Sequence, residues 1–361
     1  MKTTKFILGF FMFIFLTTKT NAQFIDAGNL KISGNVEAYY EKDNDINQAV
    51  SKFSGTAPFT DESRLDVASL TIKYDDAKKL RGIFTVQFGD IPDYNWAPYE
   101  KRFIQEANVG FSPAENLWID GGFFLTHIGA ESAIPKSNYL TSIALPTYFE
   151  PFYQSGLKVS YIFSDKVNAA LFVLNGYNQL DDNNKNKSFG LQIGITPNSQ
   201  TAITYNNILG NEQPPGSVSK IRFYNNLVFK YIFNNKFEIL TGIDFAIQGK
   251  SKISDSTASA SLFGALLSMK YTINKNFSAT IRGDYFSDPD GVLSGLFLNT
   301  NGALVGFKGT GVTAGIEYRP VGYGYVRLES RYLMMGDDVK IFDNGNKDYK
   351  IEGIFTLGAE F

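Results

Sequence analysis

The run Phe237-Glu238-Ile239-Leu240-Thr241-Gly242-Ile243-Asp244-Phe245-Ala246-Ile247-Gln248 alternates between two kinds of side chain. In an extended strand, successive side chains point to opposite faces. One face here carries Phe237, Ile239, Thr241, Ile243, Phe245 and Ile247. The other carries Glu238, Leu240, Gly242, Asp244, Ala246 and Gln248. A helix would scatter these groups around its axis, so the run is a strand with one apolar wall. Before it stands the tight turn Phe233-Asn234-Asn235-Lys236. After it comes the polar stretch 250–257, then another alternating run.

The same split continues in both directions. Leu30, Ile32, Gly34, Val36, Ala38 and Tyr40 oppose Lys31, Ser33, Asn35, Glu37, Tyr39 and Glu41. Phe277, Ala279, Ile281, Gly283 and Tyr285 oppose Ser278, Thr280, Arg282, Asp284 and Phe286. Sixteen such segments lie near 30–41, 64–75, 79–90, 102–112, 117–126, 151–162, 166–175, 188–196, 200–208, 219–233, 237–249, 258–273, 277–287, 309–319, 323–335 and 349–361. A tilted strand needs about 9–11 residues to span a bilayer, and each of these segments is about that length or longer.

The connections sort by length. Seven are tight turns rich in Asn, Asp, Pro and Gly, such as Asp75-Asp76-Ala77-Lys78 and Thr196-Pro197-Asn198-Ser199. Eight are longer and polar: 42–63, 91–101, 127–150, 176–187, 209–218, 250–257, 288–308 and 336–348. Alternating short and long connections place both termini on the short-turn side. The expected fold is therefore all-β, a transmembrane antiparallel up-and-down β-barrel of about 16 strands, with short periplasmic turns and long extracellular loops. Aromatics crowd the short-turn ends (Tyr74, Phe111, Tyr161, Phe163, Tyr231, Phe233, Phe237, Tyr271, Phe277, Tyr318 and Tyr323), as an interfacial girdle requires.

Composition narrows the function. The 361 residues include no cysteine and one histidine, which removes disulfides, thiolate metal sites and cysteine nucleophiles. Residues 1–22 read as a signal peptide. Lys2 and Lys5 precede the apolar run Phe6–Leu16, and Thr20 and Ala22 precede Gln23 as small residues before a cleavage site. Eleven apolar residues are too few for a spanning helix, which needs about 20. Residues 23–361 form the barrel, and losing Lys2, Lys5 and Lys19 leaves 31 bases against 36 acids. That balance argues against nucleic acid as a partner. The expected location is the cell outer membrane, in contact with the lipid bilayer and lipopolysaccharide.

Arginine tests the assignment of faces, because on the lipid side at mid-membrane it costs about 2–4 kcal/mol. By strand parity Arg81, Arg102, Arg222, Arg282, Arg319, Arg327 and Arg331 fall on the polar face; Arg64 does not. Lys158, Asp244, Asp284, Glu317 and Glu329 share that face. These twelve polar-face residues, Arg64 apart, are the expected pore lining of a water-filled lumen. The cluster Glu317, Arg319, Arg327, Glu329 and Arg331 either biases passage toward small anions or braces the wall. The loop 127–150 holds Ile128, Ile134, Leu140, Ile143 and Leu145, too apolar for free solvent. It is expected either to fold into the lumen or to pack over the mouth.

No catalytic constellation is present: there is no Gly-x-Ser-x-Gly elbow, phosphate loop or His-Glu-x-x-His. His127 and Ser132 alone make a poor hydrolase. Acidic pieces such as Asp43-Asn44-Asp45 lack a full calcium-ligand spacing. No enzyme activity, metal or cofactor is expected.

The stretch Ile119–Asn178 resembles a known family. Its residues are Gly121-Gly122-Phe123-Phe124-Leu125-Thr126-His127-Ile128-Gly129, then Glu150-Pro151-Phe152-Tyr153-Gln154-Ser155-Gly156-Leu157-Lys158-Val159-Ser160-Tyr161, then Asn175-Gly176-Tyr177-Asn178. They are similar to the OmpL-like β-barrel porins of Bacteroidetes-type outer membranes. The resemblance implies an outer-membrane channel. Relatives often carry an Arg in a Tyr-Ser-Arg-Ser-like run of the third long loop, where this chain has Tyr139-Leu140-Thr141-Ser142. The resemblance therefore brings no charged filter into that loop. Terminal Phe361, on an alternating last strand, resembles the signal read by the barrel-assembly machinery. Two readings follow: a porin-like channel for passive diffusion of ions and small hydrophilic solutes, or a structural or adhesive surface barrel. An oligomer is compatible with either, though no residue demands one.

Overall fold

The computed structural model describes residues 25–45, 48–98, 100–234 and 236–361. The segment read as a signal peptide lies outside the described residues. Among the described residues sixteen long strands form one closed antiparallel sheet. We number them in chain order. The first four are β1 Leu30–Asp43, β2 Ser63–Asp75, β3 Leu80–Phe88 and β4 Ile104–Ala114. Then come β5 Leu117–Leu125, β6 Tyr153–Ile162, β7 Val167–Leu174 and β8 Ser188–Asn198. The next are β9 Thr201–Asn211, β10 Ile221–Phe233, β11 Phe237–Gln248 and β12 Ala260–Thr272. The last are β13 Phe277–Asp288, β14 Phe307–Val321, β15 Gly324–Met335 and β16 Tyr349–Glu360.

Each strand pairs with its neighbours in sequence, and β16 pairs with β1 from Glu352↔Asp43 to Glu360↔Asn35. Two backbone hydrogen bonds between Gly34 and Phe361 extend that seam to the last residue (2.7 and 3.0 Å). Closure leaves no unpaired edge, the condition for crossing hydrocarbon with strands. No helix among the described residues is long and apolar enough to cross a membrane.

Alternation translates into burial as the period of two demands. Ile243, Phe245 and Ile247 are exposed on the outer surface, while Asp244, Ala246 and Gln248 are buried inside. At the short-turn end the outer aromatics touch one another. Tyr231 meets Phe233 at 4.3 Å between centroids, Phe277 meets Tyr318 at 4.6 Å, and Tyr161 meets Phe163 at 4.9 Å.

Two bulges correct the simple parity. Glu37 pairs with Val67 and Ala38 with Leu65, so Asp66 is the extra residue and both Asp66 and Val67 turn inward. The shift carries Arg64 opposite Tyr39, on the inner face, where it binds Asp90 at 2.7 Å. Gln105 is the second extra residue, since Thr85 pairs with Glu106 and Val86 with Ile104. Arg102, expected on that strand's polar face, instead precedes the strand and pairs with Asp93 at 3.0 Å.

The polar face expected to line a water-filled lumen is not polar along its whole length. Near the long-loop end the inner face carries Phe172, Leu174, Tyr224, Leu262, Phe286, Phe307 and Leu333, all buried. They pack with loop residues such as Leu145, Val339 and Phe342 into one apolar cluster. Long loops folded inward supply the partners that water could not.

Candidate functional site

The segment between β5 and β6 crosses the interior. It contains a one-turn 3-10 helix, Pro135–Ser137, and a short helix α1, Leu145–Phe149. Ile128, Ile134, Leu140, Ile143 and Leu145 are each buried. The structure thus decides for infolding over a lid at the mouth. Lumen-facing glycines admit the loop: a Cβ on Gly315 would stand 2.6 Å from Leu140 Cδ2, and one on Gly242 would stand 2.9 Å from Ala130 Cβ.

Wall side chains grip the loop's backbone. Arg327 Nη1 and Nη2 donate to the carbonyls of Pro135 and Asn138, each at 2.9 Å. Glu329 accepts from the amides of Thr141 and Ser142 and from Ser142 Oγ. Arg282 donates to Ser142 O at 2.6 Å and to Glu131, a loop residue, at 3.0 Å. Asp284 accepts from the Leu145 amide at 3.1 Å, and Thr141 Oγ1 bonds Thr356 at 2.9 Å. Such charge-assisted bonds to otherwise orphaned backbone groups let a loop lie buried in a barrel.

Several residues of the expected lining are therefore fastened into this seat: Arg282, Asp284, Arg327 and Glu329. Arg331 reaches the Phe53 carbonyl at 3.3 Å and Glu352 at 3.3 Å. Arg222 donates to Gln248 at 2.9 Å and lies over the Tyr177 ring. Asp244 accepts from Asn226 at 2.8 Å.

Toward the short-turn end the arrangement changes. Arg81 donates two bonds to Asp120, at 2.6 and 2.5 Å, with Lys158 at 3.5 Å. Glu317 takes Arg327 at 2.8 Å and Arg319 at 2.9 Å. Asp120 and Glu317 keep 1% and 7% of their side-chain surface, while Arg81, Lys158, Lys230, Lys270 and Arg319 keep between 21% and 39%. From the loop Tyr139 reaches between Lys230 and Lys270, 5.5 and 5.2 Å from its ring, and donates to Glu238 at 2.8 Å.

Other participants escaped the reading of strand faces. Residues 51–58 of the first long loop also turn inward: Thr56 Oγ1 donates to Thr141 O at 2.8 Å, and Lys350 donates to Ser51 Oγ at 2.6 Å. The signal was the small, uncharged run Ser54-Gly55-Thr56-Ala57-Pro58. An amide ladder, Gln192–Asn206–Asn226–Asp244, joins four register partners on β8 to β11 at 2.9, 2.9 and 2.8 Å. It holds the Gly129 amide through Asn226 Oδ1 at 3.1 Å. His127 stacks on Phe172 at 4.1 Å and bonds Gln154 and the Asn207 carbonyl. Burial pushes its imidazole below the ordinary histidine value. Burial, then the Asp244 charge, pushes the loop carboxyl of Glu150 well up.

Two cavities flank the loop, with Phe152 lining both. One, about 400 Å³, lies against β8 to β10 and is lined by Ser132, Ser137, Asn138, Gln192, Thr204 and Asn206 among others. The other, about 550 Å³, lies toward the long loops among Tyr94, Trp96, Tyr148, Phe149 and Tyr177.

The chain's fold is similar to that of several solved outer-membrane proteins. An anion-selective porin from Comamonas acidovorans superposes with a TM-score of 0.63 at 9% identity, covering 92% of this chain and 99% of that one. The outer membrane channel DcaP of Acinetobacter baumannii gives 0.62 at 10% identity, covering 94% and 100%. Salmonella typhi OmpF gives 0.57 at 12%, covering 92% and 97%. No curated protein matches the chain in sequence. A family model, however, matches residues 29–361. This outer-membrane barrel belongs to the family described as "Putative beta-barrel porin-2, OmpL-like".

Proposed function

We propose that the barrel is a passive diffusion channel for ions and small hydrophilic solutes, narrowed by its infolded loop and favouring small anions over cations. One observation carries the preference. In the short-turn half, the five bases Arg81, Lys158, Lys230, Lys270 and Arg319 stay partly exposed; of the carboxylates paired with them, Asp120 and Glu317 lie beneath, while Glu238 and Glu360 keep 21% and 25% of their side-chain surface. A solute within a Debye length of roughly 8–10 Å meets mainly positive charge there. The twelve expected lining residues divide three ways in this reading. Arg81, Lys158, Glu317 and Arg319 set the field. Arg222, Asp244, Arg282, Asp284, Arg327, Glu329 and Arg331 hold the wall and loop, and Arg102 sits at the mouth.

A second reading, a scaffold without conductance, is favoured by the apolar cluster filling the long-loop end. Planar-bilayer recording in a salt gradient separates the readings. A channel gives stepwise current with a reversal potential showing anion preference, and Lys158→Gln with Lys230→Gln moves that potential toward zero. Electrical silence would leave the scaffold. An unmoved potential would remove these bases from selectivity.

A further inference from the structure

We propose that the cavity toward the long loops binds a neutral saccharide of one or two rings. This rests on the channel reading, since it names a solute the channel would admit. The cavity's 550 Å³ falls within the roughly 300–1,000 Å³ of small-molecule sites. Seven of its twelve lining residues are aromatic, Tyr94, Trp96, Tyr148, Phe149 and Tyr177 among them. No Lys, Arg, Asp or His lines it. Glu150 does, but both its carboxyl oxygens are sealed from solvent. An ion entering here would find no accessible counter-charge, unlike one near Lys230 and Lys270. An organic cation would likewise lack the carboxylate that completes an aromatic cage.

A pyranose fits what remains. Its C–H faces are apolar and suit the electron-rich faces of aromatic rings. Its hydroxyl edges need neutral donors and acceptors. Asn95 Nδ2 is spent on the Gly55 carbonyl and Asn178 Oδ1 on the Phe152 and Tyr153 amides, but Asn95 Oδ1, Asn178 Nδ2 and the hydroxyls of Tyr94 and Tyr148 make no hydrogen bond among the described residues. In the neighbouring cavity beyond Phe152 the amides of Asn138, Gln192 and Asn206 are bonded within the loop and wall, and the hydroxyls of Ser137 and Thr204 make no hydrogen bond among the described residues. Its one carboxylate, Glu131, is tied to Arg282 at 3.0 Å. A neutral polyol thus meets matched groups on both sides of the loop.

The test uses one of the chain's two tryptophans. Trp118→Phe leaves Trp96, in the cavity wall, as the sole tryptophan reporter. The full mature barrel, reconstituted in phosphatidylcholine vesicles free of glycoside detergents, is titrated with glucose, maltose, sucrose, sorbitol, choline and phosphate. At least one cyclic sugar should give a saturable fluorescence change. Acyclic sorbitol should bind at least tenfold more weakly, and choline and phosphate should give no change. Tyr94→Ala and Tyr148→Ala should each weaken the sugar at least tenfold while the strand signal in circular dichroism persists. Tyr94→Phe and Tyr148→Phe, which keep the rings, should lose less. No saturable response to any cyclic sugar overturns the proposal. So does an equal response to sorbitol or choline, or an unchanged affinity in both alanine variants. Equilibrium binding does not require conductance, so sugar binding in an electrically silent barrel would keep the site and remove the channel.

Discussion

Arg282 shows how a residue that looks like pore lining becomes a structural post. Its guanidinium is fully buried and serves Glu131, Asp284, Ser142 and Thr313. Removing one partner of such a buried set leaves uncompensated carboxylates and costs about 3–5 kcal/mol. Arg282→Leu should therefore lower the urea midpoint of the refolded protein and open the 127–150 segment to protease. A variant with unchanged midpoint and protease resistance would show that the loop is held elsewhere. Glu150 makes a second prediction. Its carboxyl is held above the ordinary range, so the folded chain keeps a proton that the unfolded chain releases near pH 4.3. This group's contribution is whole below that pH and falls as pH rises toward the raised value. Asp244 from β11, loop Glu131, and Tyr177 and Tyr224 face it, with Arg222 stacked on Tyr177. Glu150→Gln should gain stability over the parent as pH climbs from 5 to 8. Parallel midpoint-against-pH curves for the two proteins would dismiss the effect.

Among the elements, the loop between β5 and β6 depends on the strands opposite it. Its passage past β14 needs Gly315, because Leu140 Cδ2 occupies the place of a side chain. Gly315→Val should push the loop from its seat while the strands keep their pairing. The measurement is single-channel conductance with protease cleavage of the loop, and both should rise. Unchanged values would mean that Leu140 finds another rotamer. The strands themselves were legible residue by residue, since period-two alternation is local and needs no knowledge of the partner. Where parity failed, the causes were an extra residue at Asp66, which turned Arg64 inward, and the later start of β4 at Ile104, which left Arg102 outside the strand. A bulge reverses every side chain beyond it. Nothing in the one-letter pattern near Asp66 announces the reversal, although an arginine on a lipid face was itself the clue.

For the whole molecule, the amino-acid sequence determined the closed barrel, its sixteen strands and the family. Those properties follow from alternation and turn chemistry, which act over a few residues. The apolar side chains of loop 127–150 also announced that it must be sheltered. Only the tertiary structure decided where. Thr141 meets Thr356, Ser142 meets Glu329, and Thr56 meets Thr141, contacts between segments about 85 to 215 residues apart. Such contacts also decided which charges of the inner face are buried under loop backbone and which keep a surface. Strand parity states the direction in which Arg327 and Lys270 point, and it is the same for both. Whether a carbonyl or open space lies in front of each is a property of the loop's path, because burial depends on what arrives from elsewhere in the chain.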